Sequence, residues 1–358
     1  MRSYFFIINI WMGGGTERVF ENIANVINKR FSDSEIFLYV IGGFDEKKYS
    51  VSPYVNIVKS KKELKKLAKT KNKVVINFSG SWNTSLVACQ IHRKYISWIH
   101  GNPFTMKTAR TALINFHLLK KSQRIVCVCK EQKEILQDNF KFKNRIDVIY
   151  NSVDFEKAQI LSAIPLESID FNYILMVARI DFKSKDFFTV IDSYCHLSKD
   201  FQNRYRLVFL GDGPDRQKVV DYINQTVPAD LRNSILLPGF DKNPYRWMKN
   251  ASVSILSSKT EGLGVSAIEA MSLRCPVLVT DYRTGSKEIS DGGKCAVLVK
   301  IGNADEMANA VEKILADEMY RKSLVENASV FVQQFYQKKI ERNLCDFFLE
   351  YEAGCDSK

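Results

Sequence analysis

The sequence predicts an α/β protein of two doubly wound domains in tandem, and three observations carry that prediction. Short apolar runs alternate with helix-length segments along nearly all of the 358 residues. The runs are continuously apolar, as strands covered on both faces should be. Several end in glycine-bearing turns, where an open parallel sheet carries its ligand loops. A chain of this length has room for two buried cores.

Taken in order, the first half offers strands at residues 4–10, 36–41, 74–78, 95–99, 125–128 and 146–150. Between the first two, Val19, Ile23, Val26 and Ile27 fall at helical spacing. A joint follows Asn151-Ser152-Val153-Asp154, because residues 155–172 lack strand character. The second half repeats the plan at residues 173–177, 207–210, 235–237, 253–256, 277–280 and 296–299. The predicted domains are therefore residues 1–155 and 156–329, followed by a helical tail from about residue 330. Eight lysines and one acid, Glu63, lie between Lys59 and Lys73; too few apolar positions accompany them for anything but a solvated, partly helical face.

The net charge of +12 is unevenly placed. Residues 1–150 hold 26 Lys and Arg against 11 Asp and Glu, so the whole positive excess lies in the first half. An anionic membrane surface, a phosphorylated acceptor or nucleic acid could each use such a face, as could solvent alone. Nucleic acid is not expected, since the chain lacks both a recognised motif and the aromatic–basic interleaving of a stacking platform. The eight cysteines are scattered with no Cys-x-x-Cys pair and read as reduced thiols. The apolar run at residues 4–12 is far short of a membrane span. Gly13-Gly14-Gly15-Thr16-Glu17 follows it where a cleavage site would stand, so the run reads as a first strand and the protein as cytoplasmic.

The segment Thr260 to Glu269 is the most informative. Gly262 and Gly264 stand where an apolar run at residues 253–256 gives way to a helix-like one, and with Leu263 they can aim backbone N–H groups at an anion. Glu261 and Glu269, eight positions apart, bracket that junction and suit sugar hydroxyls. Arg179 and Lys185 leave the first strand of the second domain, where paired cations could neutralise a leaving diphosphate. Lys185 is preferred over Lys183. No Asp-x-Asp pair occurs, so neither a metal nor another cofactor is expected.

Gly211-Asp212-Gly213-Pro214 and Pro238-Gly239-Phe240 end two further strands and are turn chemistry first, with backbone that could border a nucleotide base. At the first strand, Gly14 and Gly15 suit a loop whose amides approach a diphosphate or acceptor, but Arg18 occupies the third glycine position of a dinucleotide fingerprint. His100 ends the run at residues 96–99 beside Gly101 and points toward the ligand edge.

Together these motifs resemble the retaining nucleotide-sugar glycosyltransferases of family 4, whose GT-B architecture sets two doubly wound Rossmann-like domains facing a cleft. The matches are Glu261 and Glu269 to the Glu-x7-Glu signature, the Gly14 to Val19 stretch, His100-Gly101, Arg179 with Lys185, Gly211 to Pro214, and the Ala270 to Asp281 and Thr284 to Ile289 stretches. Arg274-Cys275 and Ser286 depart from the usual pattern at positions that bear on donor preference.

The resemblance implies that Glu261 meets donor-sugar hydroxyls and Glu269 the ribose. The amides at Gly262, Leu263 and Gly264, with Arg179 and Lys185, hold the diphosphate; His100 contacts the sugar; and the terminal helix packs back on the first domain. The implied partners are a nucleotide-sugar donor, given as a UDP-sugar, and a cell-surface glycan acceptor on a polyprenyl diphosphate. The basic half and the segment 106–121 would hold the enzyme peripherally on the inner face of the membrane. The alternatives are a nucleotide-sugar epimerase of the same fold and a basic nucleic-acid-binding protein.

Overall fold

The computed structural model describes residues 2–11, 15–46, 50–69, 72–102, 109–167 and 169–356. The chain divides into two compact units, Met1–Ser152 with Gln337–Lys358, and Val153–Tyr336. Each is built on one parallel sheet, so the α/β class with two Rossmann-like sheets holds.

The first sheet has seven strands: β1 (Arg2–Ile8), β2 (Ser34–Val40), β3 (Val55–Val58), β4 (Lys73–Asn77), β5 (Ile96–Ile99), β6 (Arg124–Cys127) and β7 (Arg145–Val148). Their order is β3-β2-β1-β4-β5-β6-β7, so the winding reverses between β1 and β4. Five of the six predicted runs extend one or two residues beyond the ladder, because apolar side chains continue into the turns. Phe78, for example, is fully buried and its N–H still donates to the Ile7 carbonyl, although β4 has ended. β3 escaped the reading altogether: four residues broken by Asn56, at a sheet edge, give no usable apolar run.

The terminal helix Gln337–Asp356 belongs to this first unit. Phe348 is fully buried and meets the Tyr4 ring edge-on at 5.5 Å. Arg124 on β6 pairs with Asp147 at 2.9 Å and Glu350 at 3.3 Å, and its guanidinium lies 4.4 Å from the Phe347 ring centre. Burying each large apolar side chain contributes about 1.5–3 kcal/mol, so two phenylalanines hold the helix more firmly than its ion pairs do.

The second sheet has six strands: β8 (Asn172–Val177), β9 (Tyr205–Leu210), β10 (Ile235–Gly239), β11 (Val253–Leu256), β12 (Val277–Thr280) and β13 (Val297–Val299). Their order is β10-β9-β8-β11-β12-β13, again with a reversal beside the first strand. All six correspond to predicted runs. Ile174, Met176, Phe187, Phe209, Val253 and Leu278 lie in its main buried cluster.

Two glycines fix how the strand ends meet. Gly211 has φ +145° and donates its N–H to the Gly239 carbonyl at 2.8 Å; a Cβ there would stand 2.0 Å from the Ala178 carbonyl oxygen. A Cβ on Gly213 would lie 2.2 Å from the Ile180 oxygen. The turn after β9 therefore presses backbone to backbone on the turn after β8. Gly292 also has positive φ, but a Cβ on it would meet nothing within 4 Å. Gly292→Ala should cost about 1 kcal/mol of backbone strain, and Gly211→Ala roughly 3 kcal/mol or more from strain plus overlap. Urea unfolding of the two variants checks this, and equal costs would refute the packing account.

Candidate functional site

In the second unit the ligand edge is formed where β8 and β11 end. An antiparallel bridge pairs Lys185 with Ser258, Asp186 N–H donates to the Ser257 carbonyl (3.1 Å) and Lys259 N–H to the Ser184 carbonyl (2.7 Å). Asp186 also caps the helix Phe187–His196, accepting from the Thr189 N–H and hydroxyl. The loop after β8 is thereby tied to the loop after β11. As a result Lys185 Nζ lies against Glu261 Oε1, while the Ser258 hydroxyl donates to the same oxygen at 2.8 Å. Both charged side chains are mostly buried, at 14% and 20% exposure. An ion pair so placed adds little net stability but fixes the carboxylate in one position. Lys183 makes no such contact.

The next residues are set by close packing. Gly264, at φ +80°, starts the helix Val265–Ser272; a Cβ there would stand 2.4 Å from the Tyr282 hydroxyl and 2.7 Å from Leu256 Cδ2. The Thr284 hydroxyl donates to the Glu261 carbonyl at 2.7 Å, and Gly285 leaves no room for a side chain beside the Gly262 carbonyl. Among the described residues, the N–H groups of Gly262, Leu263 and Gly264 have no acceptor. Buried N–H groups at a helix start have the geometry that suits an anion.

Glu269 sits on the second turn of that helix, 7% exposed, and accepts from the Tyr245 hydroxyl at 3.1 Å. Arg179 is 45% exposed and lies 3.7 Å from Asp181. Gly211 acts through packing, as described above. Gly239 at the end of β10 has φ +91°, and Phe240 beside it is 70% exposed. Ser258, Tyr282 and Tyr245 escaped the sequence reading, and Thr284 entered it only as the start of a matched stretch. Ser258 had a signal in its spacing of three from Glu261; Tyr245 had none, lying 24 residues from its partner.

In the first unit His100 follows β5 and stands 4.3 Å from Phe78, ring to ring, with the Trp98 ring stacked at 6.2 Å. Both imidazole nitrogens, Trp98 Nε1 and Asn151 Oδ1 are buried with no hydrogen-bond partner among the described residues. Burial pushes the His100 pKa down to about 3, against a weaker opposing contribution from Asn151, so the ring is neutral at physiological pH. Gly15 opens the helix Gly15–Arg30 with open space beside it. Gly14 lies outside the described residues, as do residues 106–108 of the basic segment. Among the described residues, no group of three or more His, Cys, Asp or Glu side chains could hold a metal.

Fold and glycine loop define the class first: a tandem, doubly wound α/β protein of GT-B architecture. Residues 159–331 match the Glycosyl transferases group 1 family and residues 13–157 match Glycosyltransferase Family 4. The chain belongs to the GT-B glycosyltransferases of the family 4 type. Two relatives come from Campylobacter jejuni. The N-acetylgalactosamine-N,N'-diacetylbacillosaminyl-diphospho-undecaprenol 4-alpha-N-acetylgalactosaminyltransferase is 28% identical over 251 residues, 68% of this chain and 66% of its own length. The GalNAc-alpha-(1->4)-GalNAc-alpha-(1->3)-diNAcBac-PP-undecaprenol alpha-1,4-N-acetyl-D-galactosaminyltransferase is 24% identical over 358 residues, 94% and 95% of the two chains. The chain thus spans about two thirds of the first relative and nearly all of the second. Among solved structures, Anabaena Alr3699/HepE in complex with UDP superposes with a TM-score of 0.78 at 15% identity, over 98% of this chain and 100% of that one.

The neutral, buried His100 has a measurable consequence. The unfolded chain takes up a proton near pH 6.5 and the folded one only near 3, so stability falls as pH drops through that window. Between pH 6.5 and 4.5 the wild type should lose about 2–3 kcal/mol more than His100→Gln. Urea titrations at several pH values measure the difference, and parallel curves would rule out the buried neutral ring.

Proposed function

We propose that the chain is a retaining, metal-independent hexosyltransferase. It moves a hexose or N-acetylhexosamine from a UDP-sugar to a growing cell-surface glycan carried on a polyprenyl diphosphate. The observation that carries this reading is the acceptor-free amide run at Gly262–Leu263–Gly264 beside the Lys185–Ser258–Glu261 cluster. Amides and a cation suit a diphosphate, and fixed carboxylates suit hydroxyls. UDP in the HepE structure supports a uridine nucleotide, and the undecaprenol-linked substrates named for both Campylobacter relatives support the acceptor.

In this reading the bond from the anomeric carbon to the diphosphate oxygen breaks while the acceptor oxygen bonds to the same face. The acceptor proton passes to the donor phosphate. Charge grows on the departing diphosphate, where the 262–264 amides, Lys185 and Arg179 oppose it. Glu261 holds sugar hydroxyls, and Glu269, braced by Tyr245, holds the ribose. His100 offers a neutral donor or acceptor to the transferred sugar. Gly239 borders the base.

Glu269→Ala should weaken UDP affinity about tenfold or more with the fold intact, while Arg179→Ala should lower kcat by roughly 10²-fold. Calorimetry with UDP and GDP sugars, followed by turnover assays, checks both. A wild-type protein that binds no nucleotide would end the reading.

No helix among the described residues is long and apolar enough to cross a membrane. Peripheral attachment is proposed through the helix Ala109–Lys121, where Leu113 is 71% and Ile114 39% exposed near Arg110, His117, Lys120 and Lys121. Co-sedimentation with phosphatidylglycerol vesicles should be strong at low salt and fall steeply in high salt. Replacing Leu113 and Ile114 with serine should weaken it about tenfold. Absence of binding at low salt removes the membrane claim.

A further inference from the structure

Four cations of the first unit gather at the end of its sheet remote from the ligand edge. β1, β4 and β5 are parallel neighbours in the sheet, so their first residues lie side by side. Arg2 opens β1, Lys73 opens β4, and Arg93 and Lys94 stand in the bend that leads into β5. Neighbouring strands are about 5 Å apart, so this row of cations spans roughly 10 Å. All four line one cavity of about 620 Å³, together with the end of the helix Trp82–Ile91 and Tyr351 of the terminal helix. Among the described residues that line it there is no Asp or Glu.

Two of the four have protein partners. Arg2 pairs with Glu352 at 2.7 Å, and Lys73 Nζ donates to the Ala68 carbonyl at 2.5 Å. Glu352 is itself held by the Tyr4 hydroxyl and pairs with none of the other three cations. Arg93 and Lys94 are exposed and form no ion pair among the described residues. Like charges gathered over so short a span repel one another, and an anion seated among them removes that repulsion. Arginine presents a planar fork of donors that fits the oxygens of a phosphate, and lysine adds point charge. A carboxylate carries one charge on two oxygens and would leave most of these donors unused. The cavity also holds more than a bare ion, since small-molecule sites occupy roughly 300–1,000 Å³. Cys89 and Ile91, both half-buried, give it an apolar wall beside the cations.

We propose that this cavity is a separate anion site, which holds the phosphate group of a small phosphorylated molecule through Arg93, Lys94, Arg2 and Lys73. His100 and Gly15 stand at the opposite ends of these strands, so the cavity is no part of a site at the ligand edge. It binds its anion whether or not the protein transfers sugars.

Alkylation of Cys89 by N-ethylmaleimide, followed in the whole protein by mass spectrometry, reads the cavity directly. Inorganic pyrophosphate should slow it several-fold and leave alkylation of Cys195, in the other unit, unchanged. Potassium chloride at the same ionic strength should not slow it. Changing Arg93→Gln and Lys94→Gln together should weaken the protection by pyrophosphate about tenfold, with unchanged urea unfolding because both side chains are exposed. Lys185→Gln, beside the amides of the second unit, should leave it at the wild-type level. Phosphatidic acid vesicles separate the two sources of such a phosphate. A free phosphorylated ligand predicts protection by pyrophosphate alone, and a lipid headgroup predicts protection by the vesicles as well, lost in the double variant. No protection by pyrophosphate, equal protection by chloride, or full protection in the double variant would each overturn the site.

Discussion

Backbone pressed against backbone at the strand ends is the constraint on which the second unit depends. The turn after β9 lies so close to the turn after β8 that a methyl group at Gly211 would overlap the Ala178 carbonyl. The loop after β11 is held just as closely, by Gly264 over Tyr282 and by Gly285 beside the Gly262 carbonyl. Contacts at that range exclude side chains at these glycines and hold the loops close. They keep three consecutive amides without internal partners, a state that costs free energy unless a ligand supplies the acceptor. The Lys185–Glu261 pair belongs to the same logic, since it fixes a carboxylate at the rim of the amide site rather than adding stability.

The first unit solves a different problem with different means. At its ligand edge His100 is kept uncharged by burial, and Asn9 and Asn83 brace one another across the reversal of the winding. Fixed charges cost more to desolvate than neutral polar groups do. Neutral amides and an uncharged ring demand less desolvation and discriminate by hydrogen-bond direction. Charged side chains beside the 262–264 amides in one unit, and a neutral imidazole with paired amides in the other, distinguish the two sheets.

This division also marks what the sequence could disclose. Continuous apolar runs made all six strands of the second sheet legible, since a parallel sheet buries both faces and hides no period-two alternation. β3 was illegible because four residues broken by Asn56 carry no statistical weight. Glu261, Glu269 and their glycines were legible because loop, helix start and carboxylates lie within ten residues. Tyr245 and Glu269 meet across 24 positions, Asn9 and Asn83 across 74, and Asn151 comes near His100 from beyond β7. Contacts made by the fold leave no spacing to read. Thr284, at φ +76°, belongs with these: nothing in a threonine announces a left-handed backbone, which here delivers its hydroxyl to the Glu261 carbonyl.

The positive excess of the first half can then be located by exclusion. Residues 3–16 and 74–91 carry no charge at all, and the described cations of the lysine-rich segment flank or lie on the helix Lys61–Leu67, with Glu63 engaged in capping. Only Leu64 of that helix is buried, so its lysines face solvent. A charge excess kept off the ligand edge cannot act on the reacting groups at short range, and salt screens exposed charges beyond about 10 Å. Its electrostatic effect is therefore on the unit as a whole rather than on any one group at that edge.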